Sequence, residues 1–159
     1  MAFQLTSRAF KEGEMIPPHH TADGDDVSPS LEWKNIPEGT KCFALICDDP
    51  DAPGGTFTHW LIYNIPPETA QFPEGFPSFK SLPNGTKQGL NDFGSIGYGG
   101  PAPPSGTHRY FFKLYALSAL LDLEEGAKRA SLERALQRRI LGETQLMGKY
   151  QRKKKAPVE

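Results

Sequence analysis

The sequence predicts a mostly β domain: an antiparallel Greek-key β-sandwich with one or two short helices near the C-terminus. Three observations carry this. Glycine (16) and proline (15) fill 31 of the 159 positions, well above the usual share of about 12%, and a helical bundle cannot absorb so many helix breakers. The apolar residues gather in short β-prone runs at 42–47, 57–65 and 109–117, each bounded by turn formers. Only one late stretch carries helical periodicity.

Taken in order, Phe3 to Phe10 reads as a first strand, and residues 21–30 are acidic and Gly/Pro-containing, hence a loop. Leu31-Glu32-Trp33 is a brief extended piece stopped by the turn Pro37-Glu38-Gly39-Thr40. Cys42 to Cys47 is apolar throughout, as in a central strand covered on both faces. It runs into Asp48-Asp49-Pro50-Asp51-Ala52-Pro53-Gly54-Gly55, which cannot continue a strand. Phe57 to Ile65 is the next strand, ended by Pro66-Pro67. Residues 66–108 form a long Gly/Pro-rich stretch, with a short strand at Lys87 to Leu90; ordered loops of this length are usually functional. Arg109 to Leu117 is a strongly β-prone strand. Leu132, Ala135, Leu136 and Ile140 lie on one helical stripe, with Ser131 as N-cap and Gly142 as terminator. Thr144, Leu146, Gly148 and Tyr150 alternate with polar residues in a last strand.

Residues 1–152 are expected to form a single domain, and 153–159 a basic, solvated, frayed tail. Lys+Arg is 18 against 19 Asp+Glu, a net charge of −1, without the basic excess of a nucleic-acid binder. The longest apolar run, Phe43 to Cys47, is too short to span a bilayer. Met1 to Arg8 holds no apolar signal core, so the expected address is cytoplasmic. Cys42 and Cys47 point to opposite faces of one strand, roughly 16 Å apart at ~3.3 Å per residue. They are expected to be buried reduced thiols.

The candidate chemistry lies at strand ends. His59 and His108 each open a strand, whereas His19 and His20 sit in a Pro-flanked loop and read as surface residues. Alternation places His59 with Leu61, Tyr63 and Ile65, and His108 with Tyr110, Phe112, Leu114 and Ala116. If strands 42–47 and 57–65 pair as a hairpin, Asp49, Asp51 and His59 share one sheet end. If 109–117 runs in the same sense as 57–65, His108 joins them, with the glycine-rich segment around Gly100 and Pro101 nearby. Such a site suits a small anion: imidazoles donate, carboxylates orient them, backbone N–H groups near Gly100 add donors, and Trp60, Tyr98 and Tyr110 shape the wall. The same residues also make ordinary turns and rim contacts, so spacing alone leaves the two readings open.

Other patterns lack their partners. Asp92-Phe93-Gly94 has no nucleotide loop beside it, and Ser105 near His108 has no readable oxyanion arrangement. Two His and two Asp could hold a Zn- or Fe-class ion, but without tight ligand spacing no metal or other cofactor is expected.

At Asp49-Pro50-Asp51-Ala52-Pro53-Gly54-Gly55-Thr56-Phe57-Thr58-His59-Trp60 and at Gly100-Pro101-Ala102-Pro103-Pro104-Ser105-Gly106-Thr107-His108-Arg109-Tyr110, the chain resembles the phosphatidylethanolamine-binding protein family. It is most similar to the bacterial and archaeal Raf-kinase-inhibitor-like branch. Ser28-Pro29-Ser30-Leu31-Glu32-Trp33 and Leu146 to Arg152 extend the match over nearly the whole chain. The resemblance implies a Greek-key sandwich with a C-terminal helix and a small anion pocket at one end. That pocket would use Asp49, Asp51, His59, Gly100, Pro101, His108 and Tyr110. It further implies ligands such as phosphoethanolamine head groups or acetate-like anions, a homodimer, and in some members inhibition of protein kinases. The expected function is therefore non-enzymatic binding of a small anion or phospholipid head group. A kinase regulator engaging a phosphorylated partner and a His/Asp-dependent hydrolase are the alternatives.

Overall fold

The structure, a computed structural model, describes residues 2–152. The expected frayed tail at 153–159 lies outside the described residues. Arg152, the first residue of the basic run, is held: its Nε donates to Asp23 Oδ1 at 2.9 Å.

The named strands pair antiparallel in two sheets. The smaller has the order β1-β2-β5, formed by β1 (Gln4–Thr6), β2 (Leu31–Lys34) and β5 (Gln71–Phe72). The larger has the order β6-β4-β3-β7-β8. Its strands are β3 (Cys42–Asp49), β4 (Phe57–Ile65), β6 (Lys87–Gln88), β7 (His108–Leu117) and β8 (Ile140–Tyr150). Among the described residues one α-helix, α1 (Arg129–Leu136), precedes β8.

β3 is buried along its whole length, because its two faces serve two cores. Phe43, Leu45 and Cys47 join Leu5, Leu31, Trp33 and Phe72 of the small sheet in one cluster. Cys42, Ala44 and Ile46 join Leu61, Tyr63 and Leu117 on the opposite face, where α1 supplies Leu132 and Leu136. The cysteines thus face opposite cores, and both are free and buried. Burial pushes the Cys42 thiol up to about 11 and that of Cys47 well above its ordinary value, so neither is a ready nucleophile.

β7 alternates as its sequence requires, with His108, Tyr110, Phe112, Leu114 and Ala116 all buried. β4 does not. Cys47 pairs with Trp60 while Asp48 pairs with Thr58, so His59 is an extra residue in a β-bulge. A second irregularity sets Phe43 opposite Ile65 but Leu45 opposite Ile62, with Asn64 at φ 54°. The bulges overturn simple alternation: Trp60, Ile62 and Ile65 face the inter-sheet core, whereas Leu61 and Tyr63 face α1. His59 packs edge-on against Tyr110, centroids 5.2 Å apart, on the inter-sheet side rather than with Leu61 and Tyr63.

Several boundaries move. The first strand is three residues, not eight, because Ser7 onward leaves the sheet. The helix starts at Arg129 with Lys128 as N-cap, so Ser131 is inside it and makes no cap. It stops at Leu136, and Arg138 takes a left-handed conformation (φ 65°) that turns the chain into β8. Ile140 is therefore an exposed strand residue, and Gly142 lies within β8. A 3₁₀ turn at Pro18–His20 and the short β5 were not legible in the sequence.

Candidate functional site

β4 and β7 both pair antiparallel with β3, so they run in the same sense and their first residues meet at one end of the large sheet. The end of β3 lies at that same edge. This brings Asp49, His59, His108 and Tyr110 around one hollow of about 200 Å³, completed by Ala52, Pro53, Phe57, Phe93 and the wall Ala102-Pro103-Pro104. The volume lies below the roughly 300–1,000 Å³ usual for drug-sized ligands, which restricts an occupant to a few heavy atoms.

Each polar group is fixed before any ligand arrives. Asp49 Oδ1 accepts the Asp51 N–H at 2.7 Å, and Asp49 Oδ2 accepts from His108 Nδ1 at 2.6 Å. His59 Nδ1 donates to the Gly99 carbonyl at 2.6 Å. Carbonyl and carboxylate oxygens only accept, so both rings carry hydrogen on Nδ1 and keep Nε2 for a ligand. Desolvation lowers the His59 pKa below its ordinary 6.5, although the Gly99 hydrogen bond and the Asp49 charge oppose it. Burial, then the Asp49 charge, raises the Tyr110 hydroxyl, which stays a neutral donor.

The His59 shift has a stability consequence. The unfolded chain takes up a proton near pH 6.5, whereas the folded ring resists it, so folding stability falls as pH drops below 6.5 toward the folded-state value. In chemical denaturation between pH 7.5 and 5, His59→Gln should lose less stability on acidification than the wild type. Parallel losses would remove His59 from that dependence.

Four expected site residues do not line the hollow. The Asp51 carboxylate clamps Arg109 through Nε at 2.9 Å and Nη2 at 2.8 Å, and those hydrogen bonds pull its pKa down to about 2. It forms an exposed rim ion pair and leaves Asp49 to meet the histidines. Trp60 belongs to the core, with Nε1 donating to Gln88 Oε1 at 2.7 Å. The Gly100 N–H is spent on Asp26 Oδ1 at 2.8 Å, and the Pro101 carbonyl accepts from Ala22 at 3.0 Å. The Gly100 N–H and the Pro101 carbonyl therefore brace a loop. Glycine is required there: a Cβ would sit 2.4 Å from both Asp26 Oδ1 and the His20 carbonyl. Tyr98 likewise turns away and donates to the His20 carbonyl at 2.7 Å.

Sequence reasoning missed Phe57 and Phe93, which wall the hollow beside His59 at centroid distances of 5.0 and 5.4 Å. Phe93 is presented because Asp92 is clipped to β4: its Oδ2 accepts the Thr58 N–H at 2.7 Å and its N–H reaches the Thr58 carbonyl at 2.9 Å. The Asp92-Phe93-Gly94 tripeptide was the available signal, and it is a structural clip. Ser105, exposed, is not among the lining residues.

The phosphatidylethanolamine-binding protein family model matches residues 6–151. A UPF0098 protein of Methanothermobacter thermautotrophicus is 49% identical over 93% of this chain and 98% of its own length. A UPF0098 protein of Aquifex aeolicus is 51% identical over 94% of this chain and 88% of its own. Among solved structures, a protein from Chlamydia trachomatis described as a phosphatidylethanolamine-binding protein homologue superposes with a TM-score of 0.88. It is 38% identical over 96% of this chain and 99% of its own. YbcL of Escherichia coli, described as a member of the mammalian family, also gives 0.88, at 35% identity over 96% of this chain and 100% of its own.

Proposed function

The chain belongs to the phosphatidylethanolamine-binding protein family, and on that premise we propose that it binds a small anion, a phosphoryl or carboxylate group such as a phospholipid head group, without chemical turnover. The observation that carries this is the pair of rings lining one hollow. Each has its Nδ1 occupied by a protein acceptor and its Nε2 left for a ligand. An incoming anion favours the imidazolium form of both rings, which then donate charge-assisted hydrogen bonds. With His108 in its imidazolium form, Asp49 is paired with a cation at 2.6 Å, which offsets its repulsion of the anion. Phe57 and Phe93 line the hollow as the aromatic rings nearest an ammonium on the same ligand.

A hydrolytic reading would have to use Asp49, His59 or His108 as general base on a water, or as nucleophile. None of the lining residues is Ser, Thr, Cys or Lys, and the Cys47 thiol is held in its neutral form by burial. We also propose a cytoplasmic homodimer; a protein kinase as partner belongs to the alternative, regulatory reading. The pocket itself requires no second chain, since one chain supplies all four polar groups.

Phosphoethanolamine and inorganic phosphate should each move the ring resonances of His59 and His108 in NMR. Affinity should rise as pH falls through the histidine range, because the ligand must supply the energy that protonates His59. A tighter phosphoethanolamine would assign the extra contacts to its ammonium. Resonances unmoved at millimolar ligand, or an affinity flat from pH 5 to 8, would overturn the proposal.

A further inference from the structure

We infer that His19, His20 and Glu74 form a site for one divalent transition-metal ion of the Zn²⁺ class, on the far side of the loop that backs the anion pocket. The sequence reading placed both histidines on the surface and expected no metal. The structure buries His20 and brings its ring together with a glutamate 54 positions away.

The donor atoms of the three side chains all lie within 4.8 Å of one another. His19 Nε2 is 3.3 Å from Glu74 Oε2, and His20 Nε2 is 3.5 Å from Glu74 Oε1. Charge-assisted hydrogen bonds are shorter, at about 2.7–2.9 Å. Two ligands bound at about 2.0–2.1 Å to a tetrahedral zinc stand roughly 3.4 Å apart, and each imidazole Nε2 lies at about that separation from one Glu74 oxygen, His19 from Oε2 and His20 from Oε1. The ring orientations agree. His20 Nδ1 donates to the Val27 carbonyl at 2.9 Å, and His19 Nδ1 faces Asp25 Oδ2 at 3.0 Å. With Nδ1 of each ring directed at these acceptors, both rings turn Nε2 toward the Glu74 carboxylate. Acceptors behind each imidazole are the usual second layer of a histidine metal site.

The two segments are joined independently of any ion. The Gly75 N–H donates to the Ser28 carbonyl at 2.9 Å, and the Phe76 N–H to Ser28 Oγ at 2.8 Å. The His19 side chain is 42% exposed and that of Glu74 53%, which gives an ion access and room for a water as further ligand. Two imidazoles and a carboxylate suit Zn²⁺-class ions, whereas Mg²⁺ and Ca²⁺ favour oxygen sets. The ion would clamp the loop whose His20 carbonyl and Asp26 brace Tyr98 and Gly100, next to the Gly99 carbonyl that orients His59.

The test uses the tag-free full chain, stripped of metal by a chelator, then titrated with ZnCl₂ by calorimetry and with CoCl₂ by visible absorption. One ion per chain should bind, Co²⁺ should give d–d bands, and Tm should rise by about 5–10 °C at a hundredfold excess over Kd. His19→Ala and Glu74→Gln, both at exposed side chains, should each weaken Zn²⁺ binding by about tenfold or more, with His108→Ala unchanged. No Zn²⁺ binding below a millimolar would overturn the site and leave an acidic-histidine charge cluster. So would an affinity indifferent to His19→Ala and Glu74→Gln, or one lost in His108→Ala.

Discussion

Asp48→Ala should destabilise the fold by about 3–5 kcal/mol, the scale for removing one partner of a buried ion pair. Asp48 is 1% exposed and points away from the pocket, toward α1. Its Oδ2 accepts from Lys113 Nζ at 3.0 Å and Arg129 Nη2 at 2.8 Å. Arg129 also reaches Thr58 Oγ1 at 3.1 Å and Glu133 at 3.1 Å. One carboxylate thus fastens the first turn of α1 to β3, β4 and β7. Removing it leaves Lys113 without its carboxylate and Arg129 with only the exposed Glu133, whereas Lys113→Met removes one donor and leaves the Asp48–Arg129 pair. The lysine variant should therefore cost much less. Guanidinium denaturation followed by the buried Trp33 and Trp60 fluorescence measures both. A loss under about 1 kcal/mol for Asp48→Ala would show that water replaces the network at no cost.

Asp48 also shows where sequence reading reaches its limit. The doublet Asp48-Asp49 looks like a turn opening, yet strand geometry continues through it and sends the two side chains to opposite faces. One anchors the helix and the other sets His108. The apolar run 42–47 and the alternation of 108–117 were readable, because each residue's own neighbours along the chain fix its face. Chain direction was readable too, since a hairpin fixes which strand ends meet, and that placed Asp49, His59 and His108 together. The bulge at His59 was not, because it is a property of two strands in register and neither strand alone carries it. β5 is two residues long and has no periodicity to detect. The apolar stripe through Ile140 continued past the point where Arg138 turns the chain. Trp60, Gly100 and Pro101 fell close to the site in sequence, but hydrogen bonds to Gln88, Asp26 and Ala22 commit them elsewhere. The juxtaposition of His19 and His20 with Glu74 depends on packing between distant loops, which no local pattern encodes.

His108→Ala should weaken phosphoethanolamine binding roughly 10–100-fold, the value of one hydrogen bond to a charged group at 1.5–3 kcal/mol. The variant should still fold, since the ring lies at the mouth of β7 and Tyr110, Phe112 and Leu114 keep the core below it. A melting curve checks this. Asp49→Asn distinguishes charge from orientation. The asparagine carbonyl can take over the Asp51 N–H, which turns the amide NH₂ toward His108 Nδ1. The ring must then accept at Nδ1 and carry its hydrogen on Nε2, facing the ligand. That neutral tautomer donates without needing a proton from solvent. Asp49→Asn should therefore keep measurable affinity while its pH dependence shrinks to the part that His59 supplies, and Asp49→Ala, which frees both the ring and the Asp51 backbone, should bind worst of the three. If a correctly folded His108→Ala binds within threefold of wild type, or if Asp49→Asn keeps the full pH slope, the paired imidazole is not the group that meets the anion.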